Sequence, residues 1–294
     1  FEPNIVLLDR ITKIGKIVLE NNIPIAILFR GNYWEEKKWA EETIYKSKKQ
    51  KIAVQKNQEL VDYCFKNSSL ILPISRYLEK EVVMRYPEKN IEFFPADGRD
   101  LNEWDIMQNQ KLKHPCVGLA QGLNVWGKTR ELLTLRYVLK KLPNVTFYLA
   151  GDGIYKNEII PELEKFSNFV WMKNLQYPKE IKKFFSEIDI FLLLSGLEGL
   201  GQSIIEAALM KRPIIASNVG GIPELIKDGK SGLLVENGDG EKIVEYIMKL
   251  IDEPNFSEII SQTGYETIKQ DFTWEKIAEK FELILMKHGF LKND

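Results

Sequence analysis

The stretch from Ser195 to Leu225, SGLEGLGQSIIEAALMKRPIIASNVGGIPEL, constrains the fold more than any other part of the chain. DIFLLL (Asp189 to Leu194) precedes it, a short apolar run bounded by turn signals that predicts a buried strand. PIIAS (Pro213 to Ser217) predicts a second strand, and GQSIIEAALM between them has the composition of a helix. Strand, loop, helix and strand in that order form one unit of a parallel sheet. Ligands of such sheets bind beyond the carboxyl ends of the strands. Glu198 is expected at that edge, and Glu206 in the first turns of the helix behind it.

A helix N-terminus offers N–H groups without intrahelical acceptors and a positive partial charge, so it suits a phosphate. Gly199 and Gly201 let the backbone approach a ligand closely. With Leu200, Gln202 and Ser203 they make up the loop and helix start of this candidate site. Carboxylates repel phosphate, so Glu198 and Glu206 need another task. Each can accept a pair of O–H hydrogen bonds from vicinal hydroxyls. Sugar, diphosphate and ribose together make a nucleotide sugar. The plainer reading is two solvated glutamates on a surface helix and loop; the glycines and the two flanking strands outweigh it.

The chain has 294 residues, enough for two domains. Its formal net charge of −1 makes nucleic acid an unnatural partner. Cys64 and Cys116 fit no C-x-x-C spacing, which points to a reducing compartment. No apolar run approaches the roughly 20 residues of a membrane helix. The opening FEPNIVLLDR has no basic n-region of the signal-peptide kind. These readings predict a cytoplasmic protein. YKSKKQKIAVQK (Tyr45 to Lys56) is basic; a solvated face is favoured over peripheral docking at the inner membrane face.

Strands are predicted at Asn4–Asp9, Ile23–Phe29, Ser69–Ile74 and Ile91–Pro95 in the first half. In the second half they are predicted at Pro115–Leu119, Val145–Ala150, Phe169–Met172, Ile188–Leu194, Pro213–Ser217 and Gly232–Val235. Helical patterns separate them, and from Glu241 the chain reads as helix to near its end. The polar stretch Leu101–Lys113 is the candidate linker. The domains expected are 1–108, 109–270, and a segment 271–294 whose helix from Thr273 returns to the first domain with Trp274 buried. His114 and His288 fall in the linker and near the end, which argues against a His-based mechanism or a metal site.

EGLGQSIIEAALMKRPIIASNVGGIPELIKDGKSGLLV resembles the signature of the retaining glycosyltransferases of family 4, also called group 1. LPNVTFYLAGDGIYKNEI, ILPISRYLEKEV, FFPADGRD and DFTWEKIAEKFE resemble further segments of that family, in the family's order. The resemblance implies an α/β protein of the GT-B kind, two doubly wound Rossmann-like domains facing a cleft. The first domain would be abridged or N-terminally truncated, since about four strands are predicted in it. It also implies a nucleotide diphosphate sugar as donor, a UDP- or GDP-sugar, an unspecified acceptor, net retention of configuration, and neither cofactor nor metal. Glu198 would face the sugar and Glu206 the ribose. In QGLNVWGKTREL, Gly122 lies in the donor loop and Lys128 matches the family's diphosphate lysine. The family's arginine is replaced by Leu123 or Leu119, depending on the alignment, and Arg130, or Arg30 from the first domain, is the candidate substitute. Arg30 ends a strand where the family places a cation near the sugar, and Gly151, Asp152 and Gly153 would shape the site. Two other readings are a nucleotide-sugar 2-epimerase-like isomerase and a donor-binding module without activity.

Overall fold

The computed structural model describes residues 3–107 and 111–292. The chain forms two compact units, Phe1–Gly98 with Phe272–Asp294, and Arg99–Asp271. The sequence places the border at residues 108 and 109, which lie outside the described residues; the first unit ends ten residues earlier.

In the first unit three strands, β1 (Val6–Leu8), β2 (Ile25–Phe29) and β3 (Leu70–Pro73), form a parallel sheet in the order β1-β2-β3. Every residue of β2 and β3 is buried, as the unbroken apolar runs IAILF and LILP require of a sheet covered on both faces. The fourth expected strand, Ile91–Pro95, lies along β3 as an isolated bridge between Ile71 and Ile91. The Glu92 and Phe94 amides donate to the Ile71 and Pro73 carbonyls. Pro73 has no N–H to return, so the ladder is not completed. Polar side chains start the helices: Thr12 caps Lys13–Glu20, Ser75 caps Arg76–Arg85, and Ser47 with Gln50 forms a reciprocal capping box on Lys48–Asn67.

The last helix, Trp274–Lys287, also belongs to the first unit and is capped by the Thr273 hydroxyl. Phe281 stacks on Phe94 at 5.1 Å, and Lys287 and His288 both reach Glu92. Trp274 is not the buried residue the sequence suggests: it is 52% exposed, its ring lying over Gly98, while Phe272, Ile277 and Ile284 turn inward. Position N1 of a helix projects outward unless a neighbour covers it.

The second unit carries six strands: β4 (Cys116–Ala120), β5 (Thr146–Ala150), β6 (Phe169–Lys173), β7 (Ile190–Leu193), β8 (Ile214–Ser217) and β9 (Leu233–Val235). All pairings are parallel, and the order is β6-β5-β4-β7-β8-β9. Numbered within the unit this is 3-2-1-4-5-6, the doubly wound order, and its direction reverses between β4 and β7. Val117, Leu119, Phe147, Leu149, Ile190, Leu192 and Ile215 from the central strands form the core with Leu135, Leu139, Ile159 and Ile247 from the covering helices. No helix among the described residues is long and apolar enough to cross a membrane.

Candidate functional site

The reversal between β4 and β7 opens a crevice beyond their carboxyl ends, where doubly wound sheets bind ligands. The loop after β4 carries Gly122, which is exposed, and leads into the short helix Trp126–Thr129 with Lys128. The loop after β7 carries Glu198 and leads into the helix Gln202–Leu209. The two loops meet: Lys128 Nζ donates to Glu198 Oε2 at 3.1 Å, and Gln121 Nε2 donates to the Leu194 carbonyl at 3.0 Å. Lys128 and Glu198 come from positions 70 residues apart and are both partly buried.

The Glu198 loop is held from below by Gly220 and Gly221. The Gly221 amide donates to the Glu198 carbonyl at 3.2 Å. A Cβ on Gly220 would stand 1.9 Å from that carbonyl oxygen, and one on Gly221 would stand 2.2 Å from the Gly199 carbonyl oxygen. Gly220 also has φ +56°, a left-handed conformation that glycine adopts without strain. Gly199 is buried, and the Leu200 side chain is a core residue at 2% exposure, so these positions offer a ligand their backbone. Gly201 is the N-cap residue of the following helix with φ +102°. Gln202 is exposed and Ser203 half-buried in its first turn.

Glu206 is placed differently from a solvent-facing ribose acceptor. Its Oε1 accepts Arg99 Nη2 at 2.7 Å, with the Glu206 side chain 9% and the Arg99 side chain 10% exposed. Tyr177 joins the pair through a hydrogen bond to Glu206; burial, then the Glu206 charge, pushes its hydroxyl pKa up. Arg99 is the main residue that sequence reading missed. It stands in FFPADGRD, a segment noted above only for its resemblance to the family, and nothing local indicates a partner 107 positions away.

The cations considered for the missing family arginine both hold carboxylates. Arg130 Nε donates to Glu131 Oε1 at 3.1 Å. Arg30 belongs to the first unit, where Asp9 and Asp97 both accept from its guanidinium. Burial opposes its charge, but the two carboxylates outweigh burial and raise its pKa. The loop after β5, with Gly151, Asp152 and Gly153, braces the Gly122 loop: the Leu123 amide donates to the Asp152 carbonyl at 3.0 Å and the Tyr155 amide to the Leu123 carbonyl at 3.0 Å.

Residues 130–267 match the family model "Glycosyl transferases group 1". An uncharacterized glycosyltransferase of Methanocaldococcus jannaschii is 27% identical over 232 residues, which cover 75% of this chain and 60% of that protein's length. Among solved structures, HepE of Anabaena in complex with UDP and glucose superposes with a TM-score of 0.77 at 16% identity, covering 96% of this chain and 77% of that one. Sucrose-phosphate synthase of Thermosynechococcus elongatus gives 0.79 at 16% identity, covering 97% and 73%. Likeness at such identity shows the fold, which is GT-B. The matched segment contains Glu198 and the glycine pair beneath it, and over residues 130–267 the chain is similar to the group 1 glycosyltransferases.

Proposed function

We propose that the chain binds a UDP-sugar in its second unit and transfers the hexosyl group to an acceptor with net retention of configuration. The observation that carries this reading is the meeting of Lys128 and Glu198 at the switch point, beside a glycine-led helix N-terminus. One cation, one carboxylate and a row of backbone amides match the three parts of a nucleotide diphosphate sugar. UDP is preferred to GDP because HepE, the structural likeness above, was solved with UDP and with UDP-glucose.

In this reading the diphosphate lies at the first turn of the helix Gln202–Leu209, within reach of Lys128. Negative charge grows on the leaving phosphate as the glycosidic bond breaks. Lys128 and the helix N-terminus stabilise that charge, and they are preorganised to do so. A lysine ammonium has three donors, so Lys128 can serve a phosphate while still holding Glu198. Glu198 accepts from the sugar hydroxyls and orients the anomeric carbon. Glu206 holds the ribose with the acceptor capacity that Arg99 and Tyr177 leave it, since a carboxylate offers about four lone-pair sites. The leaving phosphate assists attack from the same face, which gives retention without a protein nucleophile.

The test compares UDP binding with transfer. Lys128→Ala should lower kcat at least about tenfold. Glu198→Gln should bind UDP as the parent does in calorimetry, yet lose roughly 10- to 150-fold in sugar transfer, the worth of one charge-assisted hydrogen bond. A parent chain that binds no UDP would overturn the proposal. UDP binding without release of UDP from UDP-glucose would favour the donor-binding module, and formation of a 2-epimer would favour the isomerase.

A further inference from the structure

β4 and β7 also come together at their other ends, on the edge of the sheet opposite the candidate donor site. There His114, Cys116 and Asp189 form a cluster in which one ligating atom of each lies within 4.8 Å of the others. His114 Nδ1 stands 2.8 Å from Asp189 Oδ2 and 3.6 Å from Cys116 Sγ. The Cys116 backbone amide donates to the same Asp189 oxygen at 2.7 Å. Cys116 is buried, while the His114 and Asp189 side chains are 42% and 41% exposed, so the cluster is anchored on the sheet and open to water on one side. Read as sequence, His114 stands alone in a polar linker and Cys116 fits no ligand spacing; the fold supplies Asp189 from 75 positions away.

We propose that His114 Nδ1, Cys116 Sγ and the Asp189 carboxylate bind one divalent transition metal of the zinc class. One imidazole nitrogen, one thiolate and one carboxylate oxygen form a mixed set that suits Zn²⁺ and its spectroscopic substitute Co²⁺. With metal–nitrogen and metal–sulfur bonds of about 2.0 and 2.3 Å, a tetrahedral centre sets nitrogen and sulfur about 3.5 Å apart. The separation in this structure is 3.6 Å. Nitrogen and oxygen need to part by about 0.5 Å from their present hydrogen bond to reach a tetrahedral edge of about 3.3 Å. On binding, the Cys116 S–H proton passes to solvent and the sulfur electron pair forms the metal–sulfur bond. Asp189 stays fixed by the Cys116 amide, and a water completes the exposed fourth position. Arg212, whose guanidinium donates to the Ile188 carbonyl at 2.9 Å, also feels Asp189 and Cys116. A divalent ion with one thiolate and one carboxylate is a neutral centre, so binding replaces the single negative charge of Asp189 by a neutral group and sets no net positive charge beside that arginine. Such a site would clasp the segment entering the sheet at β4 to the segment entering at β7.

The test is titration of the reduced, metal-free full chain with Co²⁺, then with Zn²⁺. The expected result is one Co²⁺ per chain with a thiolate-to-cobalt charge-transfer band, displaced by one equivalent of Zn²⁺. His114→Ala and Cys116→Ser should each weaken Co²⁺ binding at least tenfold and remove the rise in Tm that Zn²⁺ gives the parent. Cys64→Ser should retain both. His114 is exposed, so its variant should keep the parent's fold, which circular dichroism checks. Absence of the band in the parent, or a band that survives Cys116→Ser, would overturn the proposal and leave an ordinary His–Asp pair. UDP affinity should be the same with and without Zn²⁺, which keeps this result independent of the donor site.

Discussion

At Glu206, a carboxylate lies inside the protein against the Arg99 guanidinium. Taking two charges out of water costs several kcal/mol each, and their attraction returns this only while both are present. Removing one partner of such a pair typically costs about 3–5 kcal/mol. Arg99→Leu is therefore expected to lower unfolding free energy by about that amount in urea titration. Arg99→Leu combined with Glu206→Leu should recover most of it, because no uncompensated charge remains. Additive losses across the cycle would show that the two groups do not act as a pair. Lys128 and Glu198, 28% and 14% exposed, are better hydrated, and their loss should be read in catalysis before stability.

Among the elements, the turn at Gly220 and Gly221 matters because it is the floor on which the Glu198 loop rests. Gly220 and Gly229 both have positive φ, but a side chain at Gly229 meets nothing within 4 Å. Gly229→Ala should thus cost only the left-handed penalty, about 1–2 kcal/mol. Gly220→Ala carries the same penalty and a backbone clash, so it should lower Tm clearly further and weaken UDP binding in calorimetry. Equal Tm losses in the two variants would mean that the loop yields easily. The last helix offers a simpler test. Thr273 caps it through the Lys276 amide, and Thr273→Ala should cost about 1 kcal/mol in thermal denaturation.

For the whole molecule, ligand linkage is the accessible measurement. A ligand that binds only the folded state at 100 times its Kd adds about 2.7 kcal/mol to stability. UDP should therefore raise Tm in a concentration-dependent way, more than GDP or ADP at equal concentration. If GDP stabilises the chain more, the base preference proposed above is wrong while the donor site stands.

The parallel strands of the second unit were legible because a strand buried on both faces must be a largely apolar run, and β4, β5, β7 and β8 are such runs, with Thr146 and Ser217 at the ends of β5 and β8. The glycines around Glu198 and the helix after them were legible for a similar reason: backbone approach and helix starts have local residue requirements. What the chain's order of residues does not contain is which side chains meet. Lys128 finds Glu198 and His114 finds Asp189 across 70 and 75 positions because the strand order puts β4 beside β7, and Arg99 finds Glu206 across 107. The Ile91–Pro95 run fell short of a full strand because its neighbour in the sheet is a proline, and Trp274 is half-exposed because burial depends on what lies opposite a helix position. Local patterns in the sequence thus determined the elements and the chemistry available at each loop. Tertiary structure alone decided the pairs, since a contact between distant segments depends on sheet topology and not on either segment's composition.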